Sequence, residues 1–444
     1  MEKIASCILG TILFTCLLLS CNTSPDKKMK SQICNVTQDD VDTTLLRQTF
    51  NELSERFDNL RPQVIKDPNG YLKHPYLIPA GFYNQLWDWD AFFMANHFIS
   101  RGKPEYMKYW ALTFIENIDE EGYVSGGMTT KGQRKVFGKF AMKPFLSQGI
   151  YHYSESVGDY SWVEPYYEKI VSILEYRKKT QYNKEFGLYF WEIAMQSGAD
   201  NNPAMNYFKE DSRSFVCADA SAFQYGELLA QSVIARELGK IEDAEIFKKA
   251  AEELKSNINK FLWNNEDKVY YNLDSDSKRQ YRRVSYSSFV PLMYNIAPLE
   301  QGSETIDNHL INTDCMKAQY GFRSLSAKDV DYNNKNIIVP FSNWQGPVWP
   351  IANYIYSIAL KNYGYDKEVV WLAQTLGNLL VDDIKEWGIM HENYHADTGL
   401  PLAPSSEHVD ENGKFIGFIS WNLCIQNVME GVLEDKWMLL EIRE

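Results

Sequence analysis

The chain has 444 residues, 45% of them hydrophobic and 14% aromatic, which is enough to bury a large core and excludes both a disordered polymer and a disulfide-held miniprotein. Lysine and arginine number 45 against 59 acidic residues, a formal net charge of −14 that repels a phosphate backbone and argues against nucleic acid as a partner. The 12 tryptophans, 28 tyrosines and 23 phenylalanines exceed what core filling usually needs, and many stand beside Gly, Asn, Asp and Gln, the texture of a polar, ring-lined cleft.

The N-terminus reads as a targeting segment. Lys3 supplies a basic start, Ile4 to Leu19 an apolar run shorter than a typical spanning helix, and Leu18-Leu19-Ser20-Cys21 resembles the bacterial lipobox. Residues 1–20 are therefore expected to be a lipoprotein signal peptide, Cys21 the lipidated residue, 21–40 a polar tether and 41–444 a single domain. On this reading the protein is an exported bacterial lipoprotein, facing the periplasm or the cell surface and touching the membrane only through its lipid; an uncleaved anchor helix is the competing reading. Cys34, Cys217, Cys315 and Cys424 remain in the mature chain, widely scattered, with no CxxC spacing to suggest a zinc knuckle.

From about residue 40 the apolar pattern is helical. In chain order the predicted helices are Thr43–Phe57, Trp89–Arg101, Glu105–Ile118, Leu146–Val157, Trp162–Thr180 and Asp219–Leu238, the last ending at the natural C-cap Gly239. They continue with a stripe of Phe247, Ala251, Leu254, Ile258 and Phe261, then Ser287–Tyr294, Glu300–Asn312, a stripe from Ile351 to Gly364, a helix capped by Asp366 toward Leu380, and Ser420–Leu433. Short alternating runs, Gly187–Trp191 and Val269–Asn272, read as hairpins. With no internal repeat and no Pro/Gly/Ser-rich divider, this is one large all-α domain whose long loops at one end carry Trp, Asp, Asn and Gly.

Four segments could carry chemistry. In Tyr83-Asn84-Gln85-Leu86-Trp87-Asp88-Trp89-Asp90, rings alternate with carboxylates just before a helix, a pairing suited to sugar, whose C–H faces pack on aromatics while vicinal hydroxyls bond to carboxylates; core tryptophans on a capped helix are the bland alternative. Ser197-Gly198-Ala199-Asp200-Asn201-Asn202-Pro203 is a loop in which Asp200 is either reactive or a turn former. Asn343-Trp344-Gln345-Gly346-Pro347-Val348-Trp349-Pro350 leads into a helix and could present both tryptophans. His391-Glu392-Asn393-Tyr394-His395 matches the HExxH pattern of zinc proteases, but that needs a stable helix, and Gly388 and Asp397-Thr398-Gly399 crowd it with turns.

In this order, followed by Gly417-Phe418-Ile419-Ser420-Trp421, the motifs resemble glycoside hydrolase family 63, in its compact bacterial form that includes mannosylglycerate hydrolases, over roughly residues 68 to 434. The resemblance implies an (α/α)6 toroid with long loops and short β-hairpins at the active-site end, and hydrolysis of an α-linked glucoside or mannoside with inversion, without a cofactor or metal. It implies Asp200 as general acid and Glu392 as general base, a pair inversion requires on opposite faces of the sugar, with Tyr83, Trp87, Trp89, Asp90, Trp344 and Trp349 lining the sugar subsite. Gln345 stands where many members carry Arg, and Met142-Lys143-Pro144 where a Gln-Pro-Pro-like pattern is expected. On chemistry alone Glu407, beside His408, competes with Glu392.

Gly122 to Ser154 holds no acidic residue while Lys131, Arg134, Lys135, Lys139 and Lys143 make it strongly basic. It reads either as a solvated or lipid-facing loop, or as a lid whose Lys139 and Lys143 meet an acidic aglycone such as glycerate. The competing functional classes are a zinc metallohydrolase using His391, Glu392 and His395, and a lipoprotein that binds glycans without cleaving them. Oligomeric state is not legible.

Overall fold

Among the described residues twelve α-helices follow one another and alternate between two patterns of burial. The helices α1 (Thr44–Val64), α3 (Glu105–Ile115), α5 (Tyr167–Thr180), α7 (Ile241–Asn257), α9 (Leu299–Thr305) and α11 (Asp366–Trp387) bury one face. The helices between them, α2 (Asp88–Ser100), α4 (Leu146–Val157), α6 (Ala218–Glu237), α8 (Val290–Met293), α10 (Pro350–Asn362) and α12 (Cys424–Glu434), are buried on nearly every side. The computed structural model describes residues 43–79, 83, 85–133, 141–205, 213–337, 342–403, 412, 415–437, 442 and 443. The expected signal segment, Cys21, the tether and Cys34 lie outside these residues, as do Arg134, Lys135, Lys139, Glu407 and His408.

The fully buried helices pack in a closed order, α2 on α4, α4 on α6, α6 on α8, α8 on α10, α10 on α12, and α12 back on α2. The outer helices cover their backs, as α7 does α6 and α11 does both α10 and α12. Small residues permit the close approach: a Cβ on Gly226 of α6 would lie 2.4 Å from the Tyr294 ring, and one on Gly149 of α4 would lie 2.4 Å from Trp110. Polar groups also link neighbouring inner helices: Glu227 of α6 accepts the Ser147 and Gln148 N–H groups at the start of α4, at 2.8 and 3.2 Å, satisfying donors that a helix N-terminus otherwise leaves orphaned.

The helical periodicity located these elements, with boundary differences that have physical causes. Three predicted helices open as 3-10 turns, Ser161–Tyr166, Tyr286–Phe289 and Ser420–Leu423, and the first contains Pro165. The stripe through Phe261 is regular only to Asn257, after which a π turn, Ile258–Leu262, keeps Ile258 and Leu262 inward. The helix α11 runs past Leu380 to stop at Gly388, whose φ of 77° is the left-handed C-terminal conformation. Among the described residues no strand exceeds three residues. The predicted Gly187–Trp191 hairpin is Tyr182–Asn183 paired with Leu188–Tyr189, and the Val269–Asn272 run divides between two small sheets. Among the described residues no helix is long and apolar enough to cross a membrane, and Cys217, Cys315 and Cys424 are free and buried.

The arrangement positions a site because the singled-out segments stand at the entrances of the inner helices. Leu86-Trp87 precedes α2, Lys143 precedes α4, Trp349 precedes α10 and Ser420-Trp421 precedes α12.

Candidate active site

The strand Leu86–Trp87 pairs with Gly127–Thr129, with Trp87 opposite Gly127. The bare α-carbon of Gly127 makes room for the indole, since a Cβ there would lie 2.7 Å from the Trp87 ring. Trp87 and Tyr83 are half-buried, Tyr83 lying edge-on to Phe418 at 6.3 Å.

The two aspartates of this motif differ sharply. Asp88 is fully buried and accepts the N–H of Trp89 at 2.7 Å and of Lys143 at 2.6 Å, with the Lys143 Nζ at 3.3 Å. It is an anchor. Asp90 remains partly exposed and accepts from Ser420 Oγ at 3.0 Å; burial pushes its carboxyl up to about 7, against the lowering charge of Lys143. Trp89 is 3% exposed and ringed by Phe93, Phe145, Phe223 and Trp421 at 5.6 to 6.4 Å.

Asp200 follows a 3-10 turn, Ala194–Ser197, and Gly198, whose φ of 86° reverses the chain. Its Oδ2 accepts from Ser342 Oγ at 2.7 Å and from the Ser342 N–H at 3.3 Å. Burial raises its carboxyl above the ordinary carboxylate range, opposed by the Ser342 donors and then by the charge of Lys143. The next residue is gripped as well: Asn201 Oδ1 accepts the Trp344 N–H at 2.6 Å, and Gln345 Nε2 donates to the Asn201 carbonyl at 3.2 Å. Trp344 and Trp349 stack face to face, 4.3 Å apart and 10° from parallel, each 1% exposed, and Trp349 approaches Trp421 at 6.1 Å.

The far end of the same segment holds Glu392. Val348 and Tyr394 exchange backbone hydrogen bonds of 2.8 and 2.9 Å, while Asn393–Tyr394 pairs with Pro401–Leu402. Glu392 is 6% exposed. The pentapeptide His391–His395 is thus extended, which corrects the zinc-protease alternative: HExxH needs one helical turn to stack its histidines. The His391 Nδ1 lies 2.9 Å from Asp383 Oδ1, and Asp383 also accepts the His391 N–H and the Tyr394 hydroxyl, at 2.7 and 2.6 Å. His395 accepts the Asp397 N–H at 3.2 Å. Among the described residues no group of His, Cys, Asp or Glu is arranged to hold a metal ion.

Of the residues singled out in the sequence, Lys143 lies over Trp89, Trp89 and Trp349 both approach Trp421, Trp349 stacks on Trp344, Tyr83 joins through Phe418 and Asp90 through Ser420, and Asp200 and Gln345 are tied to Trp344 through the Asn201 loop; Trp87 adjoins Asp88 in the chain, Glu392 is reached by way of Tyr394, and Lys139 lies outside the described residues. Sequence reasoning missed the residues that hold them together. Ser342, Asn201 and Asp383 belong to this group, as does the run Asn333-Asn334. Asn333 Nδ2 donates to Gln345 Oε1 at 2.9 Å and Asn334 Oδ1 accepts the Ala396 N–H at 3.0 Å. Ser342, Asn201 and Asn334 have partners 62 to 143 positions away, and Asp383 occupies a helix position that carries no local sign of its bonds to His391 and Tyr394.

A helical chain with two inward carboxyl-bearing loops and an aromatic wall is the frame of a glycoside hydrolase. Residues 83–408 match the mannosylglycerate hydrolase MGH1-like glycoside hydrolase domain, and the chain belongs to that family. It is similar to the family 63 mannosylglycerate hydrolase of Thermus thermophilus in complex with Tris and D-glycerate, with 16% identity, a TM-score of 0.62 and coverage of 86% of this chain and 99% of that one. The complex of that enzyme with glucose matches at 15% and 0.61, over 87% and 99% of the two chains. A neutral trehalase from Saccharomyces cerevisiae matches at 15% and 0.61, over 81% of this chain and 74% of its own. At these identities the likeness is one of fold.

Proposed function

We propose that the protein is an inverting α-glycosidase in which Asp200 is the general acid and Glu392 the general base. The observation that carries this reading is the shared spine of residues 342–349: Ser342, Trp344 and Gln345 grip the Asp200 loop, and Val348 pairs with Tyr394 beside Glu392. From Gln345 to Val348 an extended chain spans at most about 10 Å, a scale suited to the gap of roughly 6.5–9.5 Å that leaves room for a water between two carboxyls. A buried, proton-retaining Asp200 protonates the glycosidic oxygen as the bond to the anomeric carbon breaks. Glu392 takes a proton from the water that attacks the opposite face, and an α-substrate releases a β-product.

Tyr83, Trp87 and Asp90 offer the accessible sugar contacts, with Trp89, Trp344 and Trp349 as the packed floor behind them. The alternating burial and closed order of the inner helices support an (α/α)6 toroid with this site at its loop end. An α-mannoside or α-glucoside is the substrate class, with glycerate as aglycone suggested by the Thermus protein. Because Lys143 is bound to Asp88, recognition of an acidic aglycone falls first to Lys139. We further propose anchoring through Cys21, to be tested by labelling with a fatty-acid probe in wild type and Cys21→Ala. The central experiment is a screen of α-glucosides, α-mannosides and their glycerate conjugates with anomer-resolved NMR; a first-formed α-product would overturn inversion, and no turnover of any member would favour a glycan-binding lipoprotein.

A further inference from the structure

Lys143 is 4% exposed, an uncommon place for an ammonium. Its backbone N–H and its Nζ both bond to Asp88, at 2.6 and 3.3 Å, so main chain and side chain are pinned by one carboxylate. The Nζ lies 5.6 Å from the centre of the Trp89 ring. The stem runs under the Asp200 loop: a Cβ on Gly198 would lie 3.5 Å from Lys143 Cε and equally close to the Trp89 ring. The ammonium therefore stands where the Trp-Asp motif meets the acid loop.

We propose that Lys143 is a positioning residue that acts through Asp200, a fixed positive charge built into the wall of the site that sets the upper pH limit of catalysis. This deepens the assignment of Asp200 as general acid and rests on it. Asp88 bonds to the ammonium from the start of α2, and the charge of Lys143 reaches Asp90 and Asp200, lowering both. Arg177 of α5, which donates to the Met142 carbonyl at 2.6 Å, is a second buried cation behind the wall and faces Asp88, Glu192 and Glu227. Ser342 donates to Asp200 and Ser420 to Asp90.

The sign follows from Coulomb's law. A nearby cation favours the ionised carboxylate, so Lys143 opposes the rise that burial imposes on Asp200. Without that charge Asp200 keeps its proton to higher pH. The acid must be protonated to act, so the basic limb of kcat/KM moves up. At an effective dielectric constant of about 20, loss of one charge roughly 10 Å away corresponds to about one pH unit.

The test compares pH profiles of wild type, Lys143→Gln, Lys143→Met and Lys143→Arg on the best substrate of the screen above, with infrared titration of the carboxyl band lost in Asp200→Asn. Expected is an upward shift of about one unit in the basic limb and in the Asp200 band for the two neutral variants, with Lys143→Arg near wild type. An unmoved limb and band in a folded neutral variant overturns the proposal. So does an equal shift in Lys143→Arg, which would mean packing, or a rise in KM confined to acidic glycosides, which would mean aglycone binding. If the neutral variants do not fold, the Lys143 15Nζ resonance of the wild type serves. It should step as Asp200 titrates and lose that step in Asp200→Asn, and a step that persists rejects the coupling. Full activity in Asp200→Asn marks failure of the acid assignment instead, separately from Lys143.

Discussion

Asp88, Asp90 and Asp200 are the same side chain in three environments, and environment decides what each can do. Asp88 is saturated by N–H donors and an ammonium, whereas Asp200 has Ser342 and a desolvated surrounding that raises its carboxyl above the ordinary carboxylate range. Asp200→Asn and Glu392→Gln should each lower kcat by at least about a hundred-fold with an unchanged circular dichroism spectrum; near-wild-type turnover in either removes it from the mechanism. Ser342→Ala deletes a donor to the carboxylate form, so the basic limb of the pH profile should move up, by about one to two units if the bond contributes the usual charge-assisted 1.5–3 kcal/mol. A limb that moves down would show the serine bonding to the protonated acid. The tryptophans also divide by burial. Trp89→Ala should lower unfolding stability by about 3–5 kcal/mol, the cost of emptying a packed ring, while Trp87→Ala should chiefly raise KM. Denaturant titration and steady-state kinetics on both variants check the division.

At the scale of elements, short pairings aim the site. Trp87 sits opposite Gly127, and a methyl at Gly127 would meet its ring at 2.7 Å. Gly127→Ala should therefore displace the indole and raise KM about ten-fold with kcat within about two-fold; unchanged KM would place the sugar away from Trp87. The helices themselves were legible because a stripe such as Ala251, Leu254 and Ile258 has one geometric meaning. Their first turns were less so. The donors at the start of α4 are satisfied by Glu227, about eighty positions on, and no local capping rule finds such a partner. HExxH shows the converse: a local pattern with a strong association was undone by Gly388 ending α11 and by the Val348–Tyr394 pairing that draws the pentapeptide into an extended form.

For the whole molecule, the packed inner helices carry carboxyl groups whose contribution to stability depends on pH in an uncommon direction. Burial pushes Glu227 up to about 7 despite the Ser147 and Gln148 N–H groups, and Asp90 likewise to about 7. A folded-state value above the unfolded one means that the folded protein binds more protons. That stabilisation is complete below the unfolded values near 4 and is lost as pH rises through about 7. Buried His97 and His152, pushed down to about 3 and about 4, act in the opposite sense and offset this gain as pH falls below about 6.5. The contribution of Glu227 is therefore read by difference: relative to wild type, Glu227→Gln should lose stability at pH 5 compared with pH 8, by about 2–3 kcal/mol, and an unchanged pH dependence of the melting temperature in the variant would contradict this assignment.

The helical class, the approximate span of nearly every helix and the family were legible along the chain, because helical periodicity and ordered motifs are local properties. Motif context also singled out Asp200 and Glu392 among 59 acidic residues. Packing alone shows which aspartate of the Trp-Asp motif is an anchor, that Lys143 is bound to it, that Ser342 holds Asp200 and that Asp383 holds His391. Each of those outcomes rests on burial and on hydrogen bonds whose partners were mostly brought together by closure of the inner helix ring, and desolvation and long-range pairing leave no mark on local sequence pattern.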